Sequence, residues 1–586
     1  MISFIDWAVI ALLLILSLGL GLFFSRQTQG EGALGYFSAG RRLPWWAIGL
    51  SNTATYQSGA GGFVMLILTF GLVGNWLWWA SWIIWMPLVA IVWAPMWRRM
   101  NISTTAELIT FRYGGKKAIV ARKAYAFVSC FGFAVLLIGY ITGFFVKTLA
   151  PVIELTEIQV LLVLGGVAVI YTVFGGLAGV VYVDVLQFFF LITGSFLFLY
   201  FAMDQAGGME SVVSQVKEIR PDAMKITPPS ESFGIPLLLI LLLQGFFFAG
   251  SPTAGEGSTA QRFMAAKSES EAMKGQLFNT FLALSLRTIP LIGIGIVCMT
   301  LFSTRELLSE GIILKEGMTI LDDPVHAWGS LINHTRLPDG LRGLLIAVEV
   351  AAYLSTMSTL INWGGSFVVN DLLPKSMLGT RRKEITVSRI STLLLFIGAG
   401  FVAVLFVENM VSWFVFINSA MVIFLLPLSW FRFFWWRFNA WGELAAIILG
   451  LPLSIIVWFV LDYQEKSMWQ GLALLFGLSF LVLITITLIT KPEDKNLLKS
   501  FYERCKPIGW WGPVTGYSKG SHSRRRTDLL INSALGIFSA LGLVLFTNAL
   551  FSGSVILIVS GTLVALSAGY FLIRRLGHNS VNFKSK

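Results

Sequence analysis

Apolar residues run through this chain in long blocks, with polar residues gathered in short intervals between them. The blocks fall at about 4–24, 45–71, 75–97, 123–150, 158–175, 180–203, 234–251, 276–302, 341–371, 388–407, 411–431, 439–461, 468–490, 528–550 and 555–574. Each approaches or exceeds the roughly 20 residues that an α-helix needs to cross a bilayer. The pattern predicts an all-α polytopic membrane protein with about 15 spans. The block at 45–71 is the least regular, because the stretch TYQSGAGG interrupts it. The first block has Asp6 rather than a basic residue ahead of it and no small-residue cleavage site, so it reads as a span and not a removable leader.

Composition supports this class: 56% of the 586 residues are hydrophobic and 13% are charged. Most of the 43 Lys and Arg fall in alternate loops. These hold Arg26, Arg41 and Arg42, then Arg98 to Lys123, then Arg262, Lys267 and Lys274, then Lys375 to Arg389, then Arg432 and Arg437. The set ends with Lys491 to Arg526 and the residues from Arg574 onward. Basic short loops stay cytoplasmic, which predicts an outside N-terminus and a cytoplasmic C-terminus in the cell membrane. The net charge of +12 follows from the same rule and needs no nucleic acid. The tract Ser518–Arg526 reads as a topology determinant that can also touch anionic lipid heads. Cys130, Cys298 and Cys505 have no disulfide or metal spacing. No His cluster, Walker motif or nucleophile–base pair is present, which argues against ATP-driven transport, a transition metal, an organic cofactor or an enzyme.

Two blocks contain what a lipid-facing helix cannot carry. WWAIGLSNTATYQSGAGGFVML places Gly59, Gly61 and Gly62 among polar residues. LLLQGFFFAGSPTAGEGSTAQ contains Gly245, Gly250, Pro252, Gly255 and Gly257. Unwound backbone at membrane depth must be buried in protein or line a cavity. The two breaks open successive stretches of five spans, and such pairing points to the substrate and ion site of a secondary transporter. The plainer reading is glycine packing between helices. Asp184, Arg287 and Glu349 are the clearest ionisable groups inside blocks, each at a cost of about 2.5–3.5 kcal/mol at mid-bilayer. Ser355, Thr356, Ser358 and Thr359 form a hydroxyl cluster in AAYLSTMSTLIN, with 355, 358 and 359 on one helix face. Hydroxyls and freed carbonyls are hard oxygen ligands that suit a small cation. The alternative is hydrogen-bonding between helices.

Four separated stretches resemble the sodium:solute symporter family: YFSAGRRLPWWAIGLS, FGGLAGVVYVDVLQ, AQRFMAAKSESEAMKG and LPDGLRGLLIAVEVAAYLSTMSTLINWGGSFVVNDLL. They lie in family order over residues 36 to about 430. GNWLWWA, FFWWRFNAWGELAA and FYERCKPIGWWGP resemble one bacterial subgroup. The resemblance implies two inverted repeats of five transmembrane helices. Residues 1–44 then form a leading helix and loop, 45–203 the first repeat, 204–233 an extracellular loop and 234–431 the second repeat. Residues 432–490 form two peripheral helices, 491–527 a basic cytoplasmic loop, and 528–586 two additional helices and a tail.

The resemblance also implies a sodium site made by the carbonyls of Ala54, Gln57 and Ala352 with the hydroxyls of Ser355 and Thr356. A second sodium, present in some members, maps onto Asp184, Ser355, Ser358 and Thr359. Substrate-region candidates are Tyr56, Ser58, Trp79, Gln244, Glu349 and Asn418. The polar residues that sugar-carrying members place along the first core helix are replaced here by Tyr56, Ala60 and Gly61. Glu349 stands where an apolar residue is expected; it would bind a substrate ammonium, pair with Arg287, or carry a proton. The expected function is sodium-coupled import of a small polar solute, a sugar or amino compound before a carboxylate or vitamin. The expected partners are that solute, Na+ and lipid, with the chain acting as a monomer. A membrane sensor on the same fold is the alternative, and it would need an output domain.

Overall fold

A computed structural model of the chain describes residues 2–28, 37–55, 60–153, 155–162, 166–227, 233–252, 254–309, 312–378, 380–405, 410–466, 468–516 and 521–583. Among them, eleven helices are long and apolar enough to cross a membrane, and three shorter apolar helices accompany them. Helix α1 spans Phe4–Phe24. In the irregular second block the described residues form α2 (Trp45–Thr55) and α3 (Ala60–Phe70). Helices α4 (Leu72–Met100) and α5 (Gly115–Leu149) follow. Helix α6 (Gly176–Gln205) begins at a kink where Gly176 takes φ 61, within a longer helical stretch from Gly166. The block at 158–175 lies partly outside the described residues, and so does the interval 56–59.

The second broken segment starts as α7 (Ile235–Phe247) and tightens into a 3-10 turn at Phe248–Gly250. Ser251 is extended, and a short helix resumes at Ser258–Met264. The glycines here are steric requirements. A Cβ on Gly257 would lie 1.7 Å from the Pro252 carbonyl oxygen, and one on Gly250 would lie 2.6 Å from that of Leu426. Then come α8 (Glu269–Leu301), α9 (Leu341–Leu372), α10 (Lys383–Val404), α11 (Met410–Ala420) and α12 (Leu426–Phe434). The chain ends with α13 (Ala440–Val460), α14 (Met468–Ile489), α15 (Arg525–Ser552) and α16 (Val555–Gly577). Between α8 and α9, β1 (Phe302–Thr304) pairs in parallel with β2 (Thr319–Leu321), Phe302 opposite Thr319. In α4 and α13 an internal proline, Pro87 or Pro452, is followed by a π-helical turn, at Val89–Trp93 and Ile456–Val460. A proline cannot donate to the helical ladder, and a wider turn beside it re-pairs the freed carbonyls.

Burial separates core from periphery. Of the most apolar window of α9, 94% is buried, and of α4 and α8, 83%; for α1 and α16 the figure is 22%. The exposed apolar residues of the outer helices, such as Ile489, Ile556 and Ile573, are side chains for lipid. Helix–helix contact in a membrane depends on close approach at small residues. Gly49 of α2 meets Phe278 of α8 in this way, and Gly542 of α15 meets Ala565 of α16. The α15–α16 hairpin rests on α4 through Gly536 against Pro87, and on α8 through Phe551 against Gly293.

On the basic face, Arg432 of α12 is buried in ion pairs with Glu256 and Glu443. Tyr125 donates to Glu256 at 3.1 Å and Tyr113 to Glu443 at 3.2 Å. Arg112 stands 5.1, 5.4 and 5.2 Å from the rings of Tyr113, Phe501 and Trp511. These contacts seat the helix Lys495–Cys505 and the following Trp511 against the bundle.

Candidate functional site

Helix α2 is described as far as Thr55. Thr55 is packed against α9. Thr356 Oγ1 lies 2.7 Å from the Thr55 carbonyl oxygen and 3.0 Å from the Ala352 carbonyl oxygen. One hydroxyl carries one proton, so the two carbonyls compete for it and keep lone pairs for another electrophile. Ser355 is fully buried and its Oγ has no hydrogen-bond partner. Of the five residues expected at the first sodium site, Ala352 and Thr356 therefore meet Thr55 in one buried oxygen cluster, and the buried Ser355 hydroxyl lies towards Asp184. Ala54, the fourth, is buried beside Leu50, Phe188 and Leu282, and the carbonyl reaching Thr356 is that of the next residue. Gln57 lies outside the described residues.

Asp184 of α6 is fully buried close to this cluster. Its Oδ2 accepts from Arg262 Nη2 at 3.0 Å and from Ser51 Oγ at 2.5 Å. Arg262 comes from the short helix after the second break. It also donates to Ser51 Oγ at 2.8 Å, Thr55 Oγ1 at 3.0 Å and Thr359 Oγ1 at 2.7 Å. Asp184 and Thr359, two members of the expected second sodium site, thus meet on one guanidinium. Asp184 Oδ1 has no hydrogen-bond partner, and Ser358 Oγ turns back to the Ser355 carbonyl at 3.1 Å.

Two readings of the sequence are corrected. Among the described residues no ion pair joins Glu349 to Arg287, whose guanidinium stands 4.9 Å from the Phe63 ring and 5.7 Å from the Trp82 ring, and the salt-bridge partner of Asp184 is Arg262. Arg262 is not a loop cation, because the helix Ser258–Met264 carries it back among α2, α6 and α9. Ser51 and Thr55 were missed with it. Their signal was available in the i, i+4 spacing of two hydroxyls on one face of α2.

The substrate-region candidates divide. Trp79 is buried with its Nε1 unpartnered, next to an aromatic cluster in which Phe63 stacks on Trp78 at 5.5 Å and Trp78 meets Phe414 at 4.6 Å. Asn418 is half-buried one turn beyond Phe414 and donates to its carbonyl at 2.9 Å. Gln244 is fully buried in α7 with neither amide atom hydrogen-bonded. Glu349 stands apart from these on α9. Tyr56 and Ser58 lie outside the described residues.

A profile of the sodium:solute symporter family matches residues 36–450. The chain is 25% identical to the sodium/glucose cotransporter of Vibrio parahaemolyticus, over 86% of this chain and 94% of that protein. It is 27% identical to sodium/myo-inositol cotransporter 2 of Mus musculus, over 78% of this chain and 70% of that protein. Among solved structures it is similar to a substrate-bound, outward-open Na+-coupled sialic acid symporter, with a TM-score of 0.64 and 20% identity over 84% of this chain and 99% of that one. That last likeness is one of fold. The chain belongs to the sodium:solute symporter family.

Proposed function

We propose that this chain imports a small polar organic solute by alternating access, driven by one Na+ bound between Thr55 of α2 and the hydroxyls of α9. Family membership carries the coarser statement: the chain is a multi-pass, sodium-coupled solute symporter and not an enzyme. The observation that carries the finer one is the Thr55–Thr356–Ala352 oxygen cluster. A cation there would tie the broken segment to α9. It would favour the conformation in which both are in place, which is differential binding of one state. Arg262 already supplies the positive charge beside Asp184, which supports a single coupling ion; a second sodium on Asp184, Ser355, Ser358 and Thr359 is the competing stoichiometry.

The energy is sufficient. At about −100 mV a charge moving inward gains about 2.3 kcal/mol. A tenfold sodium gradient adds about 1.4 kcal/mol, so one ion sustains a neutral solute near 500-fold accumulation.

The proposal extends to architecture. Residues 45–203 and 234–431 form the two inverted five-helix repeats, within about fifteen spans. The N-terminus faces outside, the C-terminus is cytoplasmic, and the chain acts as a monomer in the cell membrane. The solute is a sugar or an amino compound. The named relatives carry glucose and myo-inositol, which supports a polyhydroxyl solute, and the buried carboxylate of Glu349 supports one with an amine. A carboxylate or vitamin is the alternative substrate class. The sensor reading gains no support from the comparisons, in which the named relatives are cotransporters. Uptake of a panel of radiolabelled solutes into proteoliposomes, with and without a sodium gradient, tests the proposal. Sodium-stimulated accumulation of at least one solute is expected, and a panel equally served by potassium would overturn the coupling.

A further inference from the structure

Each buried arginine of the membrane core is engaged away from Glu349. Arg262 is on Asp184, Arg432 on Glu256 and Glu443, and Arg112 between Tyr113, Phe501 and Trp511. Arg287 stands over Phe63 and Trp82. Glu349 itself is 5% exposed, its Oε1 has no hydrogen-bond partner, and no ion pair joins it to a described Lys or Arg. A carboxylate at this depth must meet a cation or give up its charge.

Its direction follows from its helix. At 100° per residue, Glu349 lies about 20° from Thr356, which faces Thr55 of α2, and about 40° from Tyr353. Tyr353 stacks on Phe145 of α5 at 4.0 Å. Glu349 therefore lies on the side of α9 that carries Thr356 and Tyr353, beside α5. The two helices run antiparallel, since Tyr353 meets Phe145 while Met357 meets Thr142. Thr148, three residues beyond Phe145, reaches the level of Glu349. It is buried, and its Oγ1 is unpartnered. On α6, Gly194 meets Val348 and Leu191 packs with Val348 and Ala352. Ser195, four residues after Leu191 on the same face, is also buried with an unpartnered hydroxyl.

We infer that Glu349, with the hydroxyls of Thr148 and Ser195, receives the primary amine of the transported solute. An alkylammonium presents three N–H donors and one positive charge. One carboxylate and two hydroxyls on three helices supply three acceptors and the balancing charge. The Phe145–Tyr353 pair beside them adds ring faces that attract a cation. This inference rests on the symport reading and narrows its solute to one with a basic nitrogen.

The solute itself can be found by the test. Proteoliposomes carrying the full chain are incubated in yeast extract with an inward sodium gradient, and accumulated solutes are identified by mass spectrometry. The expected solute has a basic amine. Glu349→Gln should lower its accumulation about ten- to a hundredfold while leaving the half-saturating sodium concentration unchanged. Glu349→Asp, checked for a monodisperse elution profile, should retain part of the uptake and so separate binding from misfolding. A sodium-dependent solute without a basic nitrogen would overturn the inference and leave symport standing. Uptake driven by a proton gradient alone and lost in Glu349→Gln would reassign the residue to a proton. An altered sodium requirement in Glu349→Gln would reassign it to the coupling ion. If nothing accumulates with sodium, the symport reading itself fails.

Discussion

The pairing of Asp184 with Arg262 makes a quantitative prediction about the expected second sodium site. Both side chains are fully buried, and their closest approach is 3.0 Å. Two unit charges about 4 Å apart interact by about 4 kcal/mol at an effective dielectric of 20. Removing one partner of a buried pair costs about 3–5 kcal/mol, because the remaining charge is left without compensation. Asp184→Asn should fall at the lower end. Its amide oxygen can still accept, and Arg262 keeps the hydroxyls of Ser51, Thr55 and Thr359. Arg262→Gln should cost more, since Asp184 is then left with serine hydroxyls and no guanidinium beside it. The double variant Asp184→Asn with Arg262→Gln should recover most of the loss, as neutral replacement of a buried pair is often tolerated. The assay is thermal inactivation followed by size exclusion in detergent, paired with the sodium dependence of uptake. The Hill coefficient for sodium should remain near one in all three variants. A stable Asp184→Asn protein whose Hill coefficient falls from near two to one would refute the pairing and establish a second sodium.

Other consequences are simpler to read. Gly257→Ala places a methyl 1.7 Å from the Pro252 carbonyl, so the variant should fail to yield monodisperse protein; normal yield would contradict the tight turn after α7. Arg432→Gln leaves two buried carboxylates, Glu256 and Glu443, facing one another, and should be less heat-stable than Asp184→Asn in the same assay. Trp511→Ala removes a buried ring from around Arg112 and its hydrogen bond to the Phe433 carbonyl, and should cost about 3–5 kcal/mol of stability with sodium binding intact, as measured by thermal shift and radioactive-sodium binding on the same preparation.

Much of the architecture is legible because a bilayer imposes length. Runs of apolar residues near 20 could be delimited without knowing their neighbours, and the helices α1, α4, α9, α14 and α16 follow their blocks closely. The second break is legible for a local reason. GSPTAGEGS denies the backbone regular helix, and the α-helix before it does stop at Phe247; residues 56–59 of TYQSGAGG lie outside the described residues. Ala352, Ser355 and Thr356 could be grouped because they share one helix. Arg262 could not, since a charge was assigned to loop or span by its distance from an apolar block. Its partner is 78 residues away, on a helix that only packing brings near. Arg287 is a candidate partner of Glu349 in the sequence because both lie in apolar blocks. Its attraction to the faces of Phe63 and Trp82 depends on ring geometry, which no spacing rule contains.

The central claim is that a sodium ion binds where Thr356 joins Thr55 and Ala352. Equilibrium binding of radioactive sodium to the purified protein, without any solute, tests it directly. The wild type should bind saturably, and Thr356→Ala and Ser355→Ala should each raise the half-saturating concentration about ten- to a hundredfold, as expected for loss of one oxygen ligand to a charge. Sodium binding that is absent in the wild type, or unchanged in both variants, would contradict the account.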